Sequence, residues 1–210
     1  MTSATPDPAT SRRERRRREL HERIIESAIV LFQKKGFEGT TALEIANTAD
    51  VAEKTFYNHF PTKQHLIQEL AQRSLQTATE LLHEARQLPG TTADQLTHFA
   101  DRFSEAAEQG SRELTREVLL ELVRVTQVDG IGPDHNRALH QGFRALFEDG
   151  VARGDVTSGG DLEFVTDLAV ATYLGIIINW VTLSDYPLRQ RLRLAAESGA
   201  GLLARWPEPR

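Results

Sequence analysis

Apolar residues recur every three or four positions along most of the 210-residue chain. That spacing places them on one face of an α-helix. Ile24, Ala28 and Phe32 share such a face in segment 13–35, which Gly36 ends. No segment alternates in the manner of a strand, and no internal repeat is present. The pattern predicts an all-α protein of about nine helices: two short ones within 41–60, and others at 13–35, 63–87, 92–109, 111–128, 135–153, 161–184 and 188–206.

The two short helices are joined by a predicted tight turn at residues 49–51. Thr41 precedes the first of them, where a hydroxyl caps the start of a helix. In the second helix, residues 53–60, Phe56 and Phe60 lie on the same side and face inward. The other side chains of this helix form a polar and aromatic surface suited to hydrogen bonding: Glu53, Lys54, Thr55, Tyr57, Asn58 and, in part, His59.

This arrangement resembles the N-terminal DNA-binding domain of the TetR family of transcriptional regulators, in which the helix-turn-helix is followed by a C-terminal helical ligand-binding and dimerisation domain. The rest of the chain agrees with that family only in length and helical character. Two positions depart from the family's pattern. Ala52 stands where a Ser often caps the second helix, and Asp50 stands where a turn Gly is common. The resemblance is carried by Ile25 to Phe37, Thr40, Thr41, Ile45, Ala46, Ala49, Val51, Thr55, Phe56, Tyr57, His59, Phe60, Lys63 and Leu66.

The resemblance implies that the partner is double-stranded DNA. Lys54 and Asn58, with Thr55, are the candidates for contacts to base edges, because Lys suits guanine acceptors and Asn suits adenine. His59 has a second interpretation, as a packed histidine at the end of the helix. By resemblance, the contacts to phosphates, which position a protein without reading sequence, come from Thr41, Tyr57, His59 and Lys63.

The net charge of −5 is distributed unevenly. Residues 1–65 hold 11 Lys and Arg against 9 Asp and Glu, whereas residues 66–210 hold 14 against 21. A polar tail, residues 1–11, is expected to be disordered. The arginines after it, with Arg16 and Arg17 among them, are expected to form an arm that follows the phosphate backbone or enters the minor groove. The alternative is a solvated, partly helical run of charge.

The expected domains are the tail (1–11), the DNA-binding domain with its basic arm (12–65) and a helical regulatory and dimerisation domain (66–210). Helix 161–183 is apolar nearly all round, more than one small core covers. Either a second subunit covers it, or it is the buried central helix of a monomer. The resemblance implies a homodimer that presents two recognition helices about 34 to 36 Å apart, or a multiple, to a palindromic operator. The candidate dimer residues are Ile176, Ile177, Trp180, Leu192, Gly199 and Leu203.

The C-terminal domain is also expected to hold an effector pocket. Its aromatic lining and the absence of a basic cluster favour a small, largely apolar effector that shifts the dimer between two shapes. The ordinary alternative for each aromatic residue is a place in the core. The candidate polar groups are His98, Arg124, His140 and Asn179. The candidate lining is Phe99, Phe103, Leu119, Phe143, Phe147, Tyr173 and Asn179.

The sequence argues against catalysis, metals and cofactors. Zero Cys excludes disulfides and thiolate zinc sites and fits a cytoplasmic protein. Glu80 and His83 have the spacing of di-iron bundles, which need a second such pair, and His135 and His140 are poorly spaced for one metal. The longest uncharged run, 168–184, is short and polar for a membrane span. We expect a ligand-responsive DNA-binding repressor; a helical enzyme and a ligand-independent DNA-binding protein are the alternatives.

Overall fold

The structure is a computed structural model, and every regular element that it describes is an α-helix, so the predicted all-α class is confirmed. The backbone is described at residues 8–125, 132–157 and 161–203, and the side chains at 12–122, 137–157 and 161–199. The described helices are α1 (Pro8–Lys35), α2 (Ala42–Thr48), α3 (Glu53–His59), α4 (Lys63–Arg86), α5 (Thr92–Gln109), α6 (Arg112–Val125), α7 (Gly132–Arg153), α8 (Leu162–Thr182) and α9 (Leu188–Leu203).

The helix boundaries lie close to the predicted ones, with the largest difference at the start of α1. This helix begins at Pro8, in the first turn, where the N–H that proline lacks would have no helical partner. Gly36 follows its end at φ +74°, a left-handed conformation that glycine adopts without strain. Thr91 and Asp161 cap α5 and α8 by accepting backbone N–H bonds. The predicted segments 126–131, 158–160 and 204–206 lie outside the described residues.

The chain divides into two compact units between Glu69 and Leu70, within α4. In the first unit, α1 packs against α2, and α2 packs against α3. Because α2 and α3 have only seven residues each, packing rather than helix propensity holds them in place. The buried apolar side chains of this unit are Ile24, Ile25, Ala28, Phe32, Ile45, Ala46, Ala49, Phe56, Phe60, Leu66 and Ile67.

The second unit has an aromatic centre. Phe99, Phe143, Phe147 and Tyr173 are buried, and their neighbouring ring centroids lie 5.2 to 6.2 Å apart. Such rings bury a large apolar area and prefer these offset and edge contacts. Around them, α5 packs against α9, α7 against α8, and α8 against α9 and α6. The second unit therefore has a core of its own.

α8 is apolar on more sides than its own unit covers. It is the one helix of the described part of the chain that is long and apolar enough to cross a membrane by length and composition. One side packs into the core, where Tyr173, Ile177 and Trp180 are buried. The other side exposes Leu168 and Ile178. α8 is therefore a core helix with one uncovered apolar side.

Candidate nucleic-acid interface

A reciprocal cap holds the start of α2. The Thr41 hydroxyl accepts the Glu44 backbone N–H at 3.2 Å, and the Glu44 carboxylate accepts the Thr41 backbone N–H at 3.0 Å. The bond from the Lys35 ammonium, followed by the backbone bond from Thr41, lowers the pKa of Glu44 to about 2. The predicted cap is confirmed. A phosphate contact by Thr41 stays a prediction.

The turn between α2 and α3 contains both departures from the TetR pattern. Asp50 has φ +52°, in the left-handed region that Asp tolerates better than most residues and that Gly adopts freely. The Val51 N–H donates to the Ala46 carbonyl at 3.0 Å and closes the turn. Ala52 is the N-cap of α3 and makes no side-chain bond. The turn therefore forms without the residues that are common at these two positions.

Two phenylalanines hold α3 in the first unit. Phe56 and Phe60 are both buried, and their ring centroids are 6.0 Å apart. The opposite side of the helix is open to solvent, as the sequence predicts. Contact between that side and DNA stays a prediction. The exposed residues are Glu53, Lys54, Tyr57 and Asn58, while Thr55 and His59 are half-buried.

His59 has partners that helical periodicity does not predict. Its Nδ1 lies 3.3 Å from Nδ1 of His21, and Nε2 of His21 lies 2.8 Å from the Glu69 carboxylate. Burial, followed by the charges of His21 and Arg17, lowers the pKa of His59. His21 lies one helical turn before the buried Ile25. A polar residue on the apolar stripe of α1 is thus the signal that could have identified it.

Lys63 is engaged within the protein. Its Nζ donates to the carbonyls of Phe37 at 2.6 Å and Thr40 at 2.9 Å, and it lies 4.1 Å from the centre of the Phe37 ring. Two of its three N–H donors are thereby used. These bonds connect the α1–α2 loop to the start of α4, and a phosphate contact through the third N–H of Lys63 stays a prediction.

The arginine cluster lies within α1. This helix is continuous from Pro8, so residues 12–18 project from a helix, and Arg16 and Arg17 are exposed. The helical conformation agrees with the alternative of a partly helical run of charge, and entry of these arginines into the minor groove stays a prediction. Phosphate contacts by the exposed arginines stay a prediction. Residues 1–7 of the expected tail lie outside the described residues.

Most of the predicted dimer residues belong to the core of the single chain. Ile176, Ile177, Trp180 and Leu192 are buried within the single chain and join one hydrophobic cluster. Periodicity does not distinguish the sides of a helix that is apolar all round, so it did not show that these residues pack in the core of the single chain; their contact with a second subunit stays a prediction. Gly199 is half-buried, and the side chain of Leu203 lies outside the described residues.

Two of the predicted pocket residues pack against each other in the core of the second unit. Phe99 and Phe143 are buried and meet in a T-shaped contact at 5.5 Å, which is core packing, and their contact with an effector stays a prediction. Phe103 and Leu119 are partly buried and pack against the same cluster, whereas Asn179 is exposed. His98 lies beside Glu84, and His140 lies beside Asp167. The side chain of Arg124 lies outside the described residues.

Phe147 and Tyr173 do border a cavity, of about 240 Å³. The Tyr173 hydroxyl is buried and has no hydrogen-bond partner among the described residues. Burial also raises the pKa of this hydroxyl. An unpaired buried hydroxyl is unfavourable, so a bound acceptor would stabilise it. The other lining residues are Leu96, Val165, Leu168, Ala169, Thr172, Ala195, Ala196, Ser198 and Gly199.

The chain is similar in sequence to known bacterial transcriptional regulators. The family described as "Bacterial regulatory proteins, tetR family" matches residues 24–70. The chain is similar to YerO of Bacillus subtilis (strain 168), an uncharacterized HTH-type transcriptional regulator, with 47% identity over 49 residues, 23% of this chain. This match spans only 17% of YerO's own length. The HTH-type transcriptional repressor KstR of Mycolicibacterium smegmatis is 23% identical over 184 residues, 85% of each chain.

Among solved structures, the chain is similar to Thermus thermophilus FadR, a TetR family transcriptional repressor, in complex with lauroyl-CoA. The TM-score is 0.60 at 22% identity, and the match covers 90% of this chain and 97% of FadR. At this identity the likeness shows the fold alone. It extends over both the helix-turn-helix and the larger helical unit.

Proposed function

We propose that the chain, which belongs to the TetR family of bacterial regulatory proteins, is a cytoplasmic, ligand-responsive repressor that binds a palindromic operator as a dimer. The observation that carries this proposal is the orientation of α3. Phe56 and Phe60 are buried, while Lys54, Tyr57 and Asn58 are exposed. An ammonium, an amide and a phenol on one short helix supply the donors and acceptors that base edges and phosphates require.

The residues of the first unit take different roles in this proposal. Lys54 and Asn58, with the half-buried Thr55, contact base edges. Tyr57 and His59 contact phosphates, which set the position of α3 without reading sequence. The exposed arginines of α1 add affinity that falls as salt rises, because each phosphate contact releases counterions.

A second copy of the chain is the proposed partner of the exposed side of α8. Leu168, Ala171, Gly175 and Ile178 follow one another at intervals of three or four residues, and none is charged. Leu194 of the adjacent α9 is exposed as well. Apart from its chain neighbours and the backbone of its own helix, no described atom lies within 4 Å of the position that a Cβ of Gly175 would occupy, so a second helix has room to approach. A two-fold dimer built here would match the symmetry of a palindromic operator.

The proposed effector is a largely apolar small molecule. The cavity beside α8 and α9 is bordered mainly by carbon, and the buried hydroxyl of Tyr173 offers one hydrogen bond. FadR of Thermus thermophilus was solved with lauroyl-CoA, whose acyl chain has the same apolar character. Leu168 lines this cavity and is also exposed on α8. Occupation of the cavity would therefore change the packing of α8 and favour one dimer shape over another.

Selection of DNA from a random duplex library, with the purified full-length chain, tests the proposed function. We expect a dyad-symmetric sequence with two half-sites about one helical turn apart, or a multiple. Recovery of no preferred sequence contradicts sequence-specific binding. Recovery of a single, asymmetric half-site contradicts the dimer.

A pair of asparagine variants then tests the role of α3. Asn58→Ala is expected to remove base preference at one position of each half-site, a loss of about 1 to 3 kcal/mol on the operator. Asn47→Ala, at an exposed position of α2, is the matched control and is expected to leave the preference intact. Equal losses for Asn58→Ala on operator and random DNA would show that it reads no base.

A helical enzyme is the rival function. Glu80 and His83 are both exposed on α4. Within the described side chains, no group of three or more His, Cys, Asp or Glu is placed to hold a metal ion. Metal analysis of the purified chain distinguishes the two functions, since a stoichiometric bound metal would favour the enzyme.

A further inference from the structure

The cavity beside α8 and α9 has an uncharged lining. The buried members of the lining are Leu96, Phe147, Val165, Tyr173 and Ala196. Among the described residues, no Lys, Arg, His, Asp or Glu borders the cavity. A charged group placed inside would therefore lose its contacts with water without gaining an ionic partner, which is strongly unfavourable.

Three hydroxyl groups belong to the described lining, and only the hydroxyl of Tyr173 is buried. Thr172 and Ser198 are exposed, and the Thr172 hydroxyl already donates to the Leu168 carbonyl at 2.7 Å. The Tyr173 hydroxyl has no hydrogen-bond partner within the described residues. Because a buried hydroxyl without a partner is unfavourable, it is the lining group that gains most from a ligand.

Ring contacts hold the Tyr173 side chain in place. Its centroid lies 5.2 Å from the centroid of Phe99 and 5.2 Å from that of Phe143, and both of these rings are buried. Since close packing restricts the rotation of a buried ring, the hydroxyl stays inside the protein. A phenol keeps its proton at neutral pH, and burial raises the pKa of this one further. The hydroxyl is thus a donor in a fixed position.

A carbonyl oxygen is the acceptor that complements this donor. It has two lone pairs and brings no proton of its own, whereas the O–H of an alcohol would need an acceptor as well. The Tyr173 hydroxyl is the one buried side-chain hydroxyl in the described lining. A ketone, an aldehyde or an ester therefore fits this lining better than an alcohol or an acid.

The volume of the cavity limits the size of the ligand. An apolar cavity of about 150 Å³ binds benzene, which has about six non-hydrogen atoms. In proportion, the cavity of about 240 Å³ holds a molecule of about ten non-hydrogen atoms. A molecule of this size fits within the cavity, so its polar group is enclosed together with its apolar part.

We propose that the effector is an uncharged carbonyl compound of about ten non-hydrogen atoms, whose oxygen accepts a hydrogen bond from the Tyr173 hydroxyl. This inference rests on the proposed function, because it names the chemical class of the effector. It makes Tyr173 a residue that determines specificity, and it selects against ionised acids, whose charge has no partner in the described lining.

Three probe molecules of similar shape separate the effect of charge from that of hydrogen bonding. Acetophenone, benzoate and isopropylbenzene each join a phenyl ring to a small branched group, and all have the same number of non-hydrogen atoms. Calorimetric titration of the full-length chain at neutral pH measures their affinities. We expect acetophenone to bind at least about tenfold more tightly than benzoate. Absence of acetophenone binding, or equal binding of benzoate, would overturn the proposal.

The substitution Tyr173→Phe removes the hydroxyl and keeps the ring. We expect it to weaken acetophenone binding about three- to tenfold and to leave isopropylbenzene binding unchanged or tighter. Tyr186→Phe is the matched control, because Tyr186 is a half-buried tyrosine of the same unit that is outside the lining. It is expected to bind acetophenone like the parent. Equal acetophenone binding by the parent and Tyr173→Phe contradicts the hydrogen bond and with it the proposal.

Thermal unfolding shows whether the Tyr173 hydroxyl stabilises the protein itself. Because this hydroxyl has no partner within the described residues, Tyr173→Phe should unfold at the same temperature as the parent or at a higher one. A clearly lower unfolding temperature would reveal a partner within the protein, and the hydroxyl would then not be available to a ligand.

The substitution Ala195→Leu tests whether the probes bind in this cavity. Ala195 is a half-buried lining residue of α9, so a larger side chain occupies space that a ligand needs. We expect acetophenone and isopropylbenzene both to lose binding. If a folded Ala195→Leu still binds them, they bind elsewhere and the proposal is wrong; if it does not fold, the comparison of Tyr173→Phe with Tyr186→Phe decides.

Failure of this inference is distinguishable from failure of the proposed function. Selection of DNA without a preferred sequence contradicts the proposed function, whatever the probes do. Benzoate that binds as tightly as acetophenone, in a chain that does select a dyad-symmetric sequence, contradicts only the chemical class of the effector.

Discussion

α3 and α8 each keep one side against the protein and turn another outward, but only in α3 do the two sides differ in chemistry. α3 buries two phenylalanine rings and exposes polar groups. In α8 both sides are apolar. Ile177 lies on the buried side and is 5% exposed, whereas its neighbour Ile178 lies on the open side and is 51% exposed. Water forms hydrogen bonds with the polar groups on the exposed side of α3, so that side needs no permanent partner. An apolar surface costs roughly 25 cal/mol for each Å² left in water, so that side of α8 gains most from a permanent partner.

The largest expected change in stability comes from a substitution on the buried side of α3, compared with one on its exposed side. Phe56→Ala should lower the free energy of unfolding by about 3 to 5 kcal/mol, because it leaves a cavity where a buried ring was. Tyr57→Ala removes a neighbouring ring that is 46% exposed and should cost less than about 1 kcal/mol, while weakening DNA binding. Urea unfolding and a DNA-binding titration measure both. Comparable destabilisation by the two substitutions would show that α3 has no open side.

The next prediction applies the same comparison to α8. Ile177→Ala should destabilise the protein by about 2 to 4 kcal/mol through loss of core packing. Ile178→Asp should leave the fold intact and place a charge where we propose that two subunits meet, which is strongly unfavourable without a partner charge. Sedimentation is expected to show a dimer for the parent and a monomer for Ile178→Asp at micromolar concentration. A variant that is still a dimer would place the interface elsewhere.

The substitution Lys63→Met tests whether this lysine contributes to the stability of the protein or to DNA binding. Met retains an apolar stem near Phe37 but loses the two bonds to carbonyls, so we expect a loss of about 1 to 3 kcal/mol in the free energy of unfolding. Lys34→Met, at an exposed position on α1, should change stability by less than about 0.5 kcal/mol. If Lys63→Met instead unfolds like the control and binds DNA much more weakly, the lysine contacts phosphate after all.

The smallest expected effect concerns the start of α3. Ala52→Ser supplies the missing side-chain acceptor at the N-cap and should raise the free energy of unfolding by about 1 kcal/mol. Thr41→Ala, which removes the existing cap of α2, should lower it by a similar amount. Thermal unfolding of both variants measures these opposite shifts. If Ala52→Ser leaves the free energy of unfolding unchanged, water already forms hydrogen bonds with the first backbone N–H groups of α3.

Sequence periodicity predicted most of the first unit because its helices are amphipathic. Phe56 and Phe60 are spaced to share one side of α3, and that side is buried. The Thr41 cap followed from local chemistry, because a cap involves residues three positions apart. The same reasoning missed the partners of Lys63 and His59. Their contacts join residues 26 and 38 positions apart, and no local pattern encodes such pairs.

Taken alone, the sequence determined the all-α class, the approximate position of each described helix and the buried side of α3, since these depend on interactions between residues a few positions apart. Tertiary structure alone decided which side of α8 is covered by the rest of the chain and which aromatic residues fill the core. It also decided that His21 meets His59. The physical reason is that an all-apolar helix fits a core in any rotation, so only the shape of its neighbours selects one.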